Sequence, residues 1–207
     1  RKDQTYFLYA IRREVLERIR FPLGALSKNE VRQIARESGL HVSDKQESQD
    51  LCFIPQASYG VFLRERSIGV SPGEFVDRKG NVLGRHGGYA LYTKGQRARL
   101  GGRSGNSLYV LAVDAGTNRV VIGEKADLMA RSLVAEEVNL LVDELPERAV
   151  AKIRYRHRDA SCQVALDGDQ LRVVFDEPQE AITPGQHVVL YDGDIVLGGG
   201  VIKEAVN

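Results

Sequence analysis

Two stretches of this chain carry residues whose types and spacing could do chemistry. Cys52 lies in Ser48-Gln-Asp-Leu-Cys-Phe-Ile-Pro55, with Leu51 and Phe53 on either side of its thiol. Such a cysteine is either a small buried hydrophobe or a nucleophile, and its apolar neighbours alone favour packing. The second stretch is Lys152-Ile-Arg-Tyr-Arg-His-Arg158, in which four cations alternate with Ile153, Tyr155 and His157. On a strand, a period of two puts all four cations on one face. That stripe suits a phosphate backbone, because it releases condensed counterions while the interleaved aromatics stack on unpaired bases. The alternative is a solvated outer face of a barrel.

Net charge is only +1, so the chain is no generic polycation, but the charge is unevenly placed. Residues 85–112 contain no Asp or Glu, while Arg85, Lys94, Arg97, Arg99 and Arg103 occur there beside Tyr89, Tyr92 and Tyr109. Six glycines in those 28 residues supply backbone N–H groups that can approach phosphates, which tips the reading toward nucleic acid.

Other chemistries find no pattern. Gly84-Arg-His-Gly-Gly88, Gly101-Gly102 and Gly198-Gly-Gly200 match neither a dinucleotide fingerprint nor a Walker loop and read as bends and bulges. Four isolated histidines and two cysteines offer no metal-ligand spacing, no hydrolase triad and no disulfide framework, so a reducing compartment is expected and a structural metal is not. No apolar run approaches the roughly 20 residues that span a bilayer.

Length and texture set out the elements that must position these residues. The chain's 207 residues exceed a single ordinary domain, and 43% hydrophobic with 28% charged content suits a folded protein. Asp3 is placed to cap a helix over 4–20, with Phe7, Ile11 and Val15 on one face. Ser27-Lys-Asn-Glu30 is a capping box for a second helix that stops at Gly39. Periodicity then vanishes over 41–56, so Cys52 sits on a loop or short strand. A short helix follows to about Arg66, then hairpins over 75–83 and 108–122. Six short strands near 133–141, 149–155, 162–166, 171–175, 187–191 and 195–202 indicate a small antiparallel barrel or sandwich.

Several ordered motifs carry a resemblance. Lys2-Asp-Gln-Thr-Tyr-Phe-Leu-Tyr9, Phe21-Pro-Leu-Gly24, Lys28-x-Glu-Val-Arg32, Ser48-Gln-Asp-Leu-Cys-Phe-Ile54, Tyr92-Thr-Lys-Gly-Gln-Arg97, Ile153-Arg-Tyr-Arg156, Thr183-Pro-Gly-Gln186 and Leu197-Gly-Gly-Gly200 together resemble the tRNA-specific 2-thiouridylases. The resemblance implies an α+β fragment: residues 1–57 as the helical C-terminal end of an α/β ATP-pyrophosphatase domain, 58–130 as a small central β domain, and 131–207 as a C-terminal antiparallel β-barrel that binds tRNA. It implies an enzyme that uses ATP, with Mg, to adenylate C2–O of the wobble uridine and then replaces that oxygen with sulfur.

By the same resemblance Cys52 is the catalytic cysteine that receives sulfur as a persulfide and can form a disulfide with a cysteine upstream of this chain. Lys2, Asp3 and Gln4, with Arg154, Tyr155 and Gln186, correspond to tRNA-binding positions. The nucleotide loop has no match here, so the chain reads as a piece of a longer protein that is inactive alone. Implied partners are a tRNA with a wobble uridine and a persulfide-donating relay protein, for a monomer of the bacterial cytoplasm or an organelle.

Three points stay open. Arg154 and Tyr155 fall on opposite faces of the expected strand, so both reach RNA only near a strand end or bend. Cys162 has no chemical role and reads as a buried apolar residue. A stand-alone tRNA-binding module without catalysis is the alternative, and RNA methylation a weaker one that lacks a glycine-rich cofactor site.

Overall fold

A computed structural model of the chain describes residues 4–40, 59–98, 100 and 107–206. Lys2, Asp3, Cys52 with the whole 41–56 stretch, Arg99 and Arg103 lie outside the described residues.

The helix expected over 4–20 is two short pieces, a 3-10 helix at Thr5–Ala10 and α1 at Arg13–Leu16. Ile11 and Arg12 between them are extended. The cause is a tertiary contact: the Asn139 side-chain amide donates to the carbonyls of Tyr9 and Ile11, which a continuous α-helix would use for its own N–H groups. Burial follows a period of three instead of 3.6. Tyr6 and Tyr9 are buried, whereas Phe7 and Val15 of the expected apolar face are exposed.

The second helix, α2 (Lys28–Glu37), keeps its expected ends. Ser27 Oγ accepts from the Glu30 amide, and the Glu30 carboxylate accepts from the Ser27 amide. At the other end Gly39 takes a φ of +68°, while Leu40 N–H reaches Ala35 O and Gly39 N–H reaches Arg36 O, a Schellman closure. None of the described helices is long and apolar enough to cross a membrane.

After α3 (Tyr59–Glu65), a five-stranded sheet forms from β1 (Gly73–Val76), β2 (Val82–His86), β3 (Arg97–Ala98), β4 (Leu108–Asp114) and β5 (Arg119–Gly123), in the order β2-β1-β5-β4-β3. Both expected hairpins are present, and each turn is held by an aspartate. Asp77 accepts from Lys79 and Asn81, and Asp114 from Gly116 and Thr117. The β1–β5 pair is parallel, and Phe75, Val110, Val120 and Ile122 fill the core beneath it.

The last block is a closed six-stranded barrel built from β6 (Met129–Leu140), β7 (Arg148–Lys152), β8 (Ala160–Asp167), β9 (Gln170–Glu180), β10 (His187–Asp192) and β11 (Ile195–Val206), in the order β10-β11-β6-β9-β8-β7. Closure removes the free strand edges that an open sheet would expose. Leu133, Cys162, Val173, Phe175, Leu190 and Ile202 are among the side chains that fill it. β10 is buried on both faces: Val188 and Leu190 belong to the barrel core, and Val189 and Tyr191 pack with Tyr6 and Tyr9. At Gly199 an added Cβ would run into Val188 O and lie 2.8 Å from Tyr9 Cδ2, so this glycine leaves room for both β10 and the 3-10 helix, while Gly198 and Gly200 face β6. β7 is shorter than the 149–155 expected, because the chain turns after Lys152 and the His157 amide donates to Arg154 O at 2.9 Å.

Candidate nucleic-acid interface

The early end of β7 changes what the basic run does. Lys152 alone is on the strand, paired with Asp159 at 3.2 Å and lying 4.9 Å from the Tyr191 ring centroid. Arg154, Tyr155 and Arg156 occupy the bend and turn, with Arg156 and Arg158 exposed. The expected one-faced cationic strand is therefore replaced by a basic turn. This also removes the conflict over Arg154 and Tyr155, since strand alternation does not apply to them.

Arg154 Nη2 donates to Glu180 O at 2.9 Å, which fixes its guanidinium at the end of β9. Tyr155 leans on the 3-10 helix, its ring 5.1 Å from Phe7 and 6.1 Å from Tyr6. On the other side, Thr183, Pro184, Gly185 and Gln186 make a turn in which Gly185 has a φ of +79° and the Gln186 amide donates to Thr183 O. The Gln186 side chain is exposed. The next residue, His187, is held twice by the 3-10 helix: Tyr6 Oη donates to its carbonyl at 2.9 Å, and Tyr9 Oη lies 2.5 Å from its Nδ1.

Gln4, exposed, starts that same 3-10 helix. Of the expected tRNA contacts, then, Gln4, Arg154, Tyr155 and Gln186 gather around the seat of one short helix, although they are distant in sequence. Lys2 and Asp3 immediately precede it in the chain.

Burial pushes the Tyr6 phenol well above its ordinary range, and the nearby Arg154 charge pulls in the opposite direction. Burial also raises Tyr9, with Glu137 adding to the effect. His157 is pushed down by burial, a backbone hydrogen bond to Arg158 opposes this, and Arg154 adds to the lowering, which keeps the imidazole neutral beside the guanidinium at pH 7. The Asp159 and Glu180 carboxylates act on His157 in the opposite, smaller sense. The Glu180 carboxylate is taken by Lys125 at 3.2 Å.

The acid-free 85–112 stretch contributes less than its composition suggests. Tyr89 and Tyr92 pack on the sheet core, and Tyr92 meets Phe75 edge-on at 5.1 Å. These aromatics are packing residues. Arg85 and Arg97 are exposed, and Gly95, at a φ of +86°, faces Ala181, where an added Cβ would lie 3.0 Å away. That approach places the turn holding Lys94 against the residue next to Glu180.

Cys162 is fully buried, with its Sγ 3.4 Å from Ala149 O, and burial pushes its thiol up to about 12. It is the apolar core residue the sequence indicates. Asn139, Tyr6, Tyr9 and His187 were missed as positioning residues. Only the i, i+3 spacing of the two tyrosines hinted at a 3-10 surface.

Three family models match the chain in succession: the tRNA methyl transferase HUP domain at residues 1–56, the tRNA methyl transferase PRC-barrel domain at 61–124 and the aminomethyltransferase beta-barrel domain at 130–202. The tRNA-specific 2-thiouridylase MnmA 1 of Syntrophus aciditrophicus (strain SB) is 53% identical over 206 residues, covering all of this chain and 55% of that protein. The tRNA-specific 2-thiouridylase MnmA of Acetivibrio thermocellus is 46% identical over 207 residues, 98% of this chain and 58% of that protein. That of Clostridioides difficile (strain 630) is 42% identical over 211 residues, 100% of this chain and 58% of that protein. The chain spans a little over half the length of these relatives.

A helical segment, a small sheet and a closed barrel, matched in that order by the HUP, PRC-barrel and beta-barrel models, define the class. Within that class, the chain belongs to the tRNA-specific 2-thiouridylase family.

Proposed function

We propose that this chain is the tRNA-holding part of a tRNA-uridine 2-sulfurtransferase of the bacterial cytoplasm, and that it carries one of the two thiols of the reaction. The observation that carries the reading is the seating of the Thr5–Ala10 helix on the barrel, which gathers Gln4, Arg154, Tyr155 and Gln186. Residues 1–57 then belong to the ATP-pyrophosphatase domain, 58–130 to a small central β domain and 131–207 to the tRNA-binding barrel, and Lys2 and Asp3 are further tRNA contacts. Two of the family models are named for methyl transfer, but the relatives matched along the whole chain are 2-thiouridylases, which supports thiolation.

On this reading Cys52 receives sulfur from a persulfide-donating partner. The terminal sulfur, as its anion, attacks C2 of the activated wobble uridine and the C2 oxygen leaves with its activating group. A second cysteine thiol then breaks the S–S bond, leaving sulfur on the base and a disulfide between the two cysteines. At the N-terminus of α2 the Ser27 and Glu30 amides are engaged by the capping box, and the Glu30 carboxylate at that end repels phosphate. Nucleotide and Mg binding fall to the part of the relatives this chain does not span.

In the intact protein, Cys52→Ser should abolish 2-thiouridine while leaving tRNA affinity nearly unchanged. Mass spectrometry of nucleosides from the modified tRNA reads the first and a binding titration the second. Retained thiolation would remove Cys52 from the mechanism.

A further inference from the structure

The 3-10 helix turns one aromatic outward. Along it Tyr6 and Tyr9 are buried and Gln4, Phe7 and Ala10 are exposed. Residues three apart eclipse in a 3-10 helix, so Phe7 stands over Gln4 in a row about 120° around the helix from Tyr6 and Tyr9. A continuous α-helix with its apolar stripe at Phe7, Ile11 and Val15 would have buried this ring. Here Phe7 is 58% exposed.

A lone exposed phenylalanine means little, but this one is held by other rings. Tyr155 lies 5.1 Å away with its plane tilted by 33°, and Tyr6 meets Phe7 edge-on at 5.4 Å and 89°. Tyr6 is itself fixed by its hydrogen bond to His187 O. Arg154 acts electrostatically on Tyr6, and Arg156 is exposed on the turn that carries Tyr155. A rigid aromatic face flanked by guanidinium groups has the composition of a base-stacking platform, where cations hold the backbone and the ring takes the base.

We propose that Phe7, backed by Tyr155, is a stacking ledge for one unpaired nucleobase of the bound tRNA, with Gln4 one turn away on the same face. The inference rests on the tRNA-binding reading above and adds to it a residue that recognises a base face. Stacking tolerates any base, so the ledge sets affinity and register along the strand more than sequence preference.

The test uses the intact protein and unmodified substrate tRNA. Phe7→Ala and Phe7→Leu should both weaken binding by roughly five- to a hundredfold, the range expected for one stacked base. The slope of log affinity against log salt should stay unchanged, because no phosphate contact is lost. Phe7→Trp should bind at least as well as the parent, and its indole emission should be quenched on adding tRNA; residues 1–207 contain no other tryptophan. Parent-like affinity in Phe7→Leu, or unquenched emission in Phe7→Trp, would overturn the ledge. A lower melting temperature with intact affinity in Phe7→Ala would make Phe7 a packing residue and overturn it too. If the parent itself fails to bind tRNA, the functional reading falls; if the parent binds and the Phe7 variants bind equally, only the ledge falls.

Discussion

Asn139 of β6 donates its side-chain amide to the carbonyls of both Tyr9 and Ile11, so one barrel residue ends the 3-10 helix and ties it down. That contact decides where the helix breaks, which aromatics it buries and which it presents.

Asn139→Ala should therefore loosen the joint while leaving the barrel intact. Loss of a partner for two partly buried carbonyls costs about 1–3 kcal/mol. Amide exchange of residues 5–10 should speed up, while the β8–β9 ladder keeps its protection. Equal loss of protection in both would show that Asn139 supports the barrel as a whole.

His86 should make the five-stranded sheet acid-sensitive. Its ring is 5% exposed, lies 5.1 Å from Phe75 and 5.4 Å from Tyr92, and its Nδ1 accepts from Gly88 N–H. Burial lowers its pKa from 6.5. Above 6.5 the imidazole is neutral in folded and unfolded chains alike. Below it the unfolded chain takes up a proton that the folded one resists, so stability falls as pH drops from 6.5 through the folded value. Denaturant unfolding at pH 7 and pH 5 should show this fall, and His86→Gln should flatten it.

Cys162 should resist alkylation in the native protein at pH 8, because its thiol is buried and pushed up to about 12. Peptide mass spectrometry after labelling should find it modified only once denaturant is added. The same shift removes stability at high pH: the contribution is complete below the ordinary value of 9.0 and is lost as pH rises toward 12.

The parts legible in the sequence are those fixed by local chemistry. The Ser27–Glu30 box, the hairpins over 75–83 and 108–122 and the strands near 162–166 and 171–175 each read correctly, because short-range hydrogen bonds and local side-chain preference determine them. What the sequence hides depends on distant partners. Asn139 lies about 130 residues from the helix it breaks, and Arg154 leaves the strand to reach Glu180 O on β9. Tyr92 looked like part of a basic aromatic surface until the sheet closed over it. The resemblance names Gln4, Arg154, Tyr155 and Gln186 one by one; that they gather at one seat depends on the fold.

The most direct measurement is the salt dependence of tRNA binding by the intact protein and its Arg154→Ala variant. Arg154 stands at the centre of the gathered surface, so the variant should bind more weakly at every salt concentration, and the slope of log affinity against log salt should fall by roughly one. An unchanged affinity and slope would mean that Arg154 faces solvent in the complex, and the surface around the Tyr6 and Tyr9 seat would not be where tRNA binds.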